Sequence, residues 1–340
     1  MLLASFLGFL LLFLLIGFSS VLVRSKEQSD YLLAGSSVPP SLIGLSAVAT
    51  NNSGFMFIGV IGYTYATGLP AFTMMVGWIL GDWMAATLVT RKVREVSEER
   101  GTLTIPELLS RWGGGHFQVL KVVAALIAVL LLGVYAAAQF KAGGKALQAL
   151  FDWDLRTGAI IGAVMVLCYG FSGGLRASVW TDAAQSVVMI VAMTVMLTTA
   201  VFTVGGWQAA WTGLHDVSPT FFQFFPAESA ASGLTGALLF LVGWTFAGAA
   251  VIGQPHVMVR FMAVNDVKNI RRARTYYYLW FVAFYTLAVG VGMMARLLMD
   301  QGAVDPSLVM SGGELDAELA LPVMADVLLH PVATGLVLAG

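Results

Sequence analysis

Ser46-Ala47-Val48-Ala49-Thr50-Asn51-Asn52-Ser53-Gly54 falls in the middle of an apolar run, Leu42 to Tyr65, that otherwise has the length and composition of a membrane-spanning helix. Two amides, several hydroxyls and a glycine are poorly matched to lipid, because an unsatisfied polar group in hydrocarbon is costly. Polar backbone at that depth is tolerated where protein buries it or where it lines a wet cavity. Interrupted helices of this kind hold ions and solutes near the midplane of secondary transporters. A break at Asn51–Gly54 would free carbonyls for a hard cation such as Na⁺. The positive end of the following half-helix would favour a carboxylate. Close helix packing is the other use of small polar residues, but Asn-Asn-Ser-Gly is denser in polar groups than packing needs.

The rest of the chain agrees with a membrane setting. Its 340 residues are 58% hydrophobic and 11% charged, with a mean hydropathy of +0.83. A soluble domain carries about 25% charged residues. The net charge of −1 leaves no basic surface for nucleic acid. The single cysteine, Cys168, excludes an internal disulfide and a cysteine-cluster metal site. Met1 to Val23 is too long for a signal-peptide core and lacks a basic n-region, so it reads as a retained helix.

A span needs about 20 apolar residues. One transmembrane domain over 1–340 is expected, with helices near 2–23, 42–64, 69–90, 119–140, 157–175, 183–205, 233–256 and 276–298. A ninth starts near Leu321. The last residues are apolar without a polar flank, so the chain is expected to be cut inside that helix. With the N-terminus outside, 14 of the 18 Lys and Arg fall on the inner side, and only Lys141, Lys145, Arg156 and Arg296 fall outside. That asymmetry sets the orientation. The outer loops 206–232 and 299–320 are comparatively acidic, with Asp216, Glu228, Asp305 and Asp316 among their residues. In the long inner loop, Thr104-Ile105-Pro106-Glu107 reads as a cap and a proline opening a short helix to Trp112.

Four further places bear on chemistry. Ser172-Gly173-Gly174 is a glycine-broken turn, and Asp182 follows it at the start of the sixth span. Asp182 reads equally as a sodium guide at the inner vestibule and as a first-turn acid favoured by the helix dipole. Gly253-Gln254-Pro255-His256, then Arg260-Phe261, ends an apolar run at a proline, which by itself is a plain helix end. Tyr135 and Trp244 lie in spans, where each either faces a cavity or packs between helices. Asp82 must be buried, paired or protonated, and bonding across helices is its favoured role. The four histidines show no ligand spacing, and no hydrolase triad, phosphate-binding loop or zinc motif occurs, so catalysis is not expected.

Together these residues resemble the sodium/solute symporter family, most closely its sodium/proline branch. Leu45 through Gly54 is similar to the family's broken helix. Trp180-Thr181-Asp182 through Gln185, and Gly253-Gln254-Pro255-His256 through Arg260-Phe261, are similar to two further family motifs. The resemblance implies an all-α polytopic fold of five-plus-five inverted repeats with an extra N-terminal helix. The second repeat would be incomplete in this chain. It implies a sodium site built from the backbone carbonyls of Ala49 and Asn52, with Asp182 on the sodium path. It implies solute contacts at Asn51, Ser53, Gly54, Tyr135 and Pro255, with an aromatic near Trp244. The family's two hydroxyl ligands for sodium would lie past Gly340.

Three departures stand out. Asn51 replaces an aspartate of the sodium/proline branch, keeping an oxygen and losing a charge. Ser36 replaces an arginine of the preceding loop. Trp244 lies ten residues before Gln254, where the family's tryptophan lies seven before; Ala247 occupies that position. The function expected is sodium-coupled import of a small organic solute, an amino acid such as proline, by alternating access in the cell (inner or plasma) membrane. Na⁺ is the coupling ion, and solute, Na⁺ and the lipid bilayer are the partners. The rivals are the membrane domain of a sensor kinase and a symporter for a sugar, carboxylate or vitamin. Oligomeric state has no signature in the sequence.

Overall fold

The computed structural model describes residues 1–151, 153–226, 233–311 and 313–339, with the backbone alone at 149, 169 and 311. Glu228 and Gly340 lie outside the described residues. The chain is helical almost throughout. In order it forms α1 (Leu2–Ser19), α2 (Gln28–Leu33), α3 (Pro40–Asn51), α4 (Val60–Thr67), α5 (Pro70–Arg100), α6 (Ile105–Arg111) and α7 (Gln118–Phe151). Then follow α8 (Leu155–Thr203), α9 (Trp207–Val217), α10 (Gly233–Ala249), α11 (Pro255–Met262), α12 (Ile270–Asp300), α13 (Ala320–Leu328) and α14 (Pro331–Ala339). A two-residue hairpin, Met310–Ser311 against Glu314–Leu315, decorates the α12–α13 loop.

Among the described residues, six helices are long and apolar enough to cross a bilayer, and the bent pair α3–α4 makes a seventh when counted as one span. Prolines fix the starts. Pro40, Pro70, Pro255 and Pro331 each open a helix, where the missing N–H is no loss and φ is already set. α5 stops at Gly101, which takes the left-handed conformation at φ 59°. Thr104 caps α6 by accepting from Glu107 N–H at 3.4 Å, while Glu107 Oε2 accepts from Leu103 N–H at 3.2 Å.

Two boundaries differ from the sequence expectation. Spans five and six form one helical trace, α8, bent at Gly174 (φ 59°, ψ −145°). A side chain at Gly174 would collide with the Tyr31 carbonyl, so only glycine permits both the turn and the contact. Arg176, just beyond, pairs with buried Asp30 at 2.5 Å and pins the bend. The run starting near Leu321 is two short helices, α13 and α14, because Pro331 disfavours helical backbone at the residue before it.

Burial sorts the helices by environment. The apolar window of α7 has no buried residue, whereas two thirds of the α12 window is buried (67%). Phe281, Phe284 and Tyr277 of α12 are among the largest fully enclosed side chains, and Trp280 stacks on Phe284 at 4.7 Å. α3, α4, α5 and α8 pack around α12, and α10 packs along α5. Gly81 of α5 and Gly248 of α10 permit that last approach: a Cβ on Gly81 would strike the Thr245 carbonyl, and one on Gly248 the Trp78 carbonyl. Small residues let membrane helices meet backbone to backbone. Gly248→Val is therefore expected to lower the thermal midpoint in detergent by about 3 °C or more, since overpacking costs about 1–3 kcal/mol. An unchanged midpoint would remove the glycine contact as a constraint.

Candidate functional site

The polar run at Asn51–Gly54 is a break. α3 stops at Asn51, Asn52 is extended (φ −82°, ψ 100°), and a wide turn of π type over Phe55–Gly59 leads into α4. The two halves diverge by 74°. Val48 O accepts both the Asn52 N–H (2.9 Å) and the Asn52 side-chain amide (2.7 Å), which closes the end of α3. Among the described residues no backbone N–H from beyond the helix end reaches the carbonyl of Ala49 or of Asn52. These oxygens are open to another partner. On the far side, Gly54 N–H donates to Gln139 Oε1 of α7 at 2.5 Å.

Beside the break lies a cavity of about 470 Å³. Ala49, Asn52, Ser53 and Gly54 line it from the break, Thr181, Asp182 and Gln185 from α8, and Gln139 from α7. Phe6, Leu10 and Phe13 of α1 supply part of its apolar wall. Oxygen-rich on one side and apolar on the other, it has the character of a small-molecule site.

Asp182 is held asymmetrically. Its Oδ2 accepts from Ser46 (2.7 Å), Arg260 (2.8 Å), Ser178 (3.2 Å) and Thr50 (3.3 Å). Its Oδ1 accepts no hydrogen bond among the described residues. Arg260 also donates to Ser46 Oγ (2.7 Å), to Ser178 Oγ (3.0 Å) and to the His256 carbonyl. The ion pair is nearly enclosed, with side-chain exposures of 7% and 16%. It ties α3, α8 and α11 together on one side of the break.

A second cavity, of about 770 Å³, lies between α5, α6, α7 and the start of α11. Tyr135 and Pro255 line it together with Gln254 and His256, and the Tyr135 and His256 rings lie 5.2 Å apart. Ser53 lines the first cavity and Tyr135 the second. Charges also cluster where α7 meets the α12–α13 loop: Lys145 Nζ pairs with Asp316 at 2.9 Å and with Glu318 at 2.7 Å.

The structure thus brings Ala49, Asn52, Ser53, Gly54 and Asp182 to one cavity, and Tyr135 and Pro255 to the other. Two expected site residues lie at neither. Trp244 packs on Trp78 (ring centroids 5.6 Å) and Phe240 (6.3 Å) at the α5–α10 contact. Asn51 lines neither cavity, and its amide donates to Tyr277 (2.6 Å) and Asp82 (3.1 Å). Sequence reading passes over Arg260, Ser46, Ser178, Gln139 and Tyr285, whose hydroxyl donates to Asn52 Oδ1 at 2.6 Å. Arg260 had one usable signal: a cation four residues past His256 in an apolar chain needs an acid.

The chain has known relatives. The model of a family described as the sodium:solute symporter family matches residues 31–340. Sodium/proline symporters of Staphylococcus aureus, strains JH9 and COL among them, are 30% identical over 335 residues, which is 97% of this chain and 62% of theirs. The chain thus spans 62% of the length of the curated relatives it matches. A solved structure of a Na⁺-coupled sialic acid symporter, in a substrate-bound outward-open state, has a TM-score of 0.83 at 20% identity. The match covers 99% of this chain and 68% of that one. The fold is accordingly that of the all-α five-plus-five transporters, with the second repeat incomplete in this chain.

Proposed function

We propose, from the premise that this chain belongs to the sodium:solute symporter family, that it forms the greater part of a Na⁺-coupled importer of a small organic solute. The observation that carries this is the break. Two open carbonyls, Ala49 and Asn52, and one carboxylate, Asp182, border a single cavity within the bundle. Na⁺ takes its ligands from the Ala49 and Asn52 carbonyls. Asp182, with one oxygen held by Arg260 and three hydroxyls, presents a negative charge on the ion's route.

The solute meets Ser53 and Gly54 from the first cavity, and Tyr135 and Pro255 from the second. The start of the half-helix after Gly54 favours the carboxylate of an amino acid. Proline is the leading candidate, because sodium/proline symporters are among the relatives, at 30% identity. The sialic acid symporter shares the fold and carries a different solute, so fold alone does not choose. Trp244 acts behind the site through packing, and Asn51 through its hydrogen bonds to Tyr277 and Asp82. The protein sits in the plasma membrane with its N-terminus outside, an orientation supported by the 14 to 4 division of basic residues.

Transport follows from a differential. Na⁺ orders the break and so raises solute affinity, and by linkage the solute raises Na⁺ affinity by the same factor. The test is uptake of a labelled solute panel, proline included, by the reconstituted protein with and without an inward Na⁺ gradient. Accumulation that requires Na⁺ is expected. Accumulation indifferent to Na⁺ would overturn the reading.

A further inference from the structure

Asp82 is fully enclosed (0% exposed) in the middle of α5 and belongs to none of the ion pairs among the described residues. It is nevertheless well satisfied. Its Oδ2 accepts from Tyr277 OH (2.7 Å) and Asn51 Nδ2 (3.1 Å), and its Oδ1 accepts from Tyr278 OH (2.6 Å). Three donors converge on a group that donates nothing back, which is how an ionised carboxylate is held.

The cluster is a ring of three. Asn51 Nδ2 donates to Tyr277 OH at 2.6 Å, Tyr277 OH donates to Asp82, and Asn51 also donates to Asp82 directly. Asn51 is the last residue of α3, next to Asn52, whose carbonyl is open. Turning Asn51 about its backbone would turn that carbonyl too. The ring therefore fixes where the break points.

We propose that Asp82 is a positioning residue for the sodium site: with Tyr277 it clamps Asn51 away from the cavity, and so sets which oxygens of the break meet the ion. This rests on the function proposed above. The ring needs one carboxylate and one amide, and its hydrogen bonds run equally well with the two exchanged. A carboxylate at position 51 would accept from Tyr277, and an amide at position 82 would donate both to Tyr277 and to that carboxylate. Two carboxylates this close repel each other, and two amides leave the tyrosines without a charged acceptor.

The test is a cycle of four versions in the reconstituted protein: unaltered, Asp82→Asn, Asn51→Asp, and both together. Asp82→Asn and Asn51→Asp are each expected to raise the Na⁺ concentration for half-maximal uptake about tenfold. The exchanged pair is expected to return within about threefold of the unaltered value. A role for Asp82 in packing alone predicts no rescue. Equal sodium dependence in all four, or an exchanged pair no better than Asp82→Asn, overturns the proposal.

A second readout does not depend on transport. The one native cysteine, Cys168, is exposed and is first replaced by alanine. Ser53→Cys then reports the break through its labelling rate with a water-soluble maleimide. Asp82→Asn is expected to change that rate at least about threefold, and the exchanged pair to restore it. Tyr277→Phe, which deletes one hydroxyl and keeps the ring's packing, should shift it the same way. If uptake proves indifferent to Na⁺ while labelling responds, the proposed function falls and the clamp stands. If labelling is the same in every version, the clamp falls.

Discussion

Asp182→Ala is expected to lose Na⁺-driven uptake altogether and to destabilise the fold by about 3–5 kcal/mol, the usual consequence of leaving a buried charge without its partner. The stranded group is Arg260, whose side chain is 7% exposed. Ser46, Ser178 and the His256 carbonyl would still touch the guanidinium, so its hydrogen-bonding groups keep partners while its charge does not. That residual contact argues for the lower end of the range. Removing both charges separates the two effects. Asp182→Ala with Arg260→Met should recover most of the stability, since an apolar pair of similar volume often replaces a buried ion pair without loss. It should recover none of the uptake, because the carboxylate facing the cavity is gone. Thermal midpoints in detergent and Na⁺-dependent uptake, measured side by side, read both. A single variant as stable as the parent would show that water or lipid headgroups reach Arg260. Uptake by the double variant would remove Asp182 from the ion's route.

The same ion pair shows where sequence reading stops. The break is legible because Asn51, Asn52, Ser53 and Gly54 contradict their apolar surroundings, and a local contradiction is visible in a single chain. Asp182 also stands out, as an acid at the mouth of a span. What cannot be read is that one Asp182 oxygen is tied to Arg260, 78 residues later, and to Ser46, 136 residues earlier. No spacing rule links residues that far apart; only the packing of α3, α8 and α11 does. Asn51 shows the converse. Its neighbours suggest a solute contact, yet one step along a helix turns a side chain by about 100°. That step carries it from the cavity to Asp82. The departure at position 51, an amide in place of a carboxylate, is answered by a carboxylate 3.1 Å away on α5. The missing charge is supplied by a different helix.

Trp244 and the run from Leu321 are harder to read for other reasons. An aromatic in an apolar span carries no mark of which way it faces, and stacking on Trp78 decides the matter. An unbroken apolar run looks like one helix until the proline inside it is weighed, and Pro331 divides it.

Gly54→Val is expected to reduce uptake by roughly a hundredfold, because Gly54 is where the break touches α7 and overpacking there costs about 1–3 kcal/mol. Its backbone is ordinary helical (φ −53°), so the constraint is space and not conformation. A Cβ on Gly54 would sit 2.8 Å from the Ala142 Cβ and 3.2 Å from Gln139 Oε1. Even alanine must push α7 outward, which stretches the 2.5 Å hydrogen bond from Gly54 N–H to Gln139. Exchanging the two sizes tests that account. Gly54→Ala is expected to be impaired about tenfold, and Gly54→Ala with Ala142→Gly to recover most of the loss, since the pair then encloses the same volume. Gln139→Leu removes the acceptor and leaves a part-buried N–H unpaired, at about 1 kcal/mol. Gln139→Glu keeps an acceptor and should be the milder of the two. Because Gly54 borders the cavity next to Ser53, the loss should appear first in the solute concentration for half-maximal uptake, with sodium half-saturation nearly unchanged. If the loss falls on maximal rate alone, Gly54 works as a hinge between α3 and α4 and does not contact the solute.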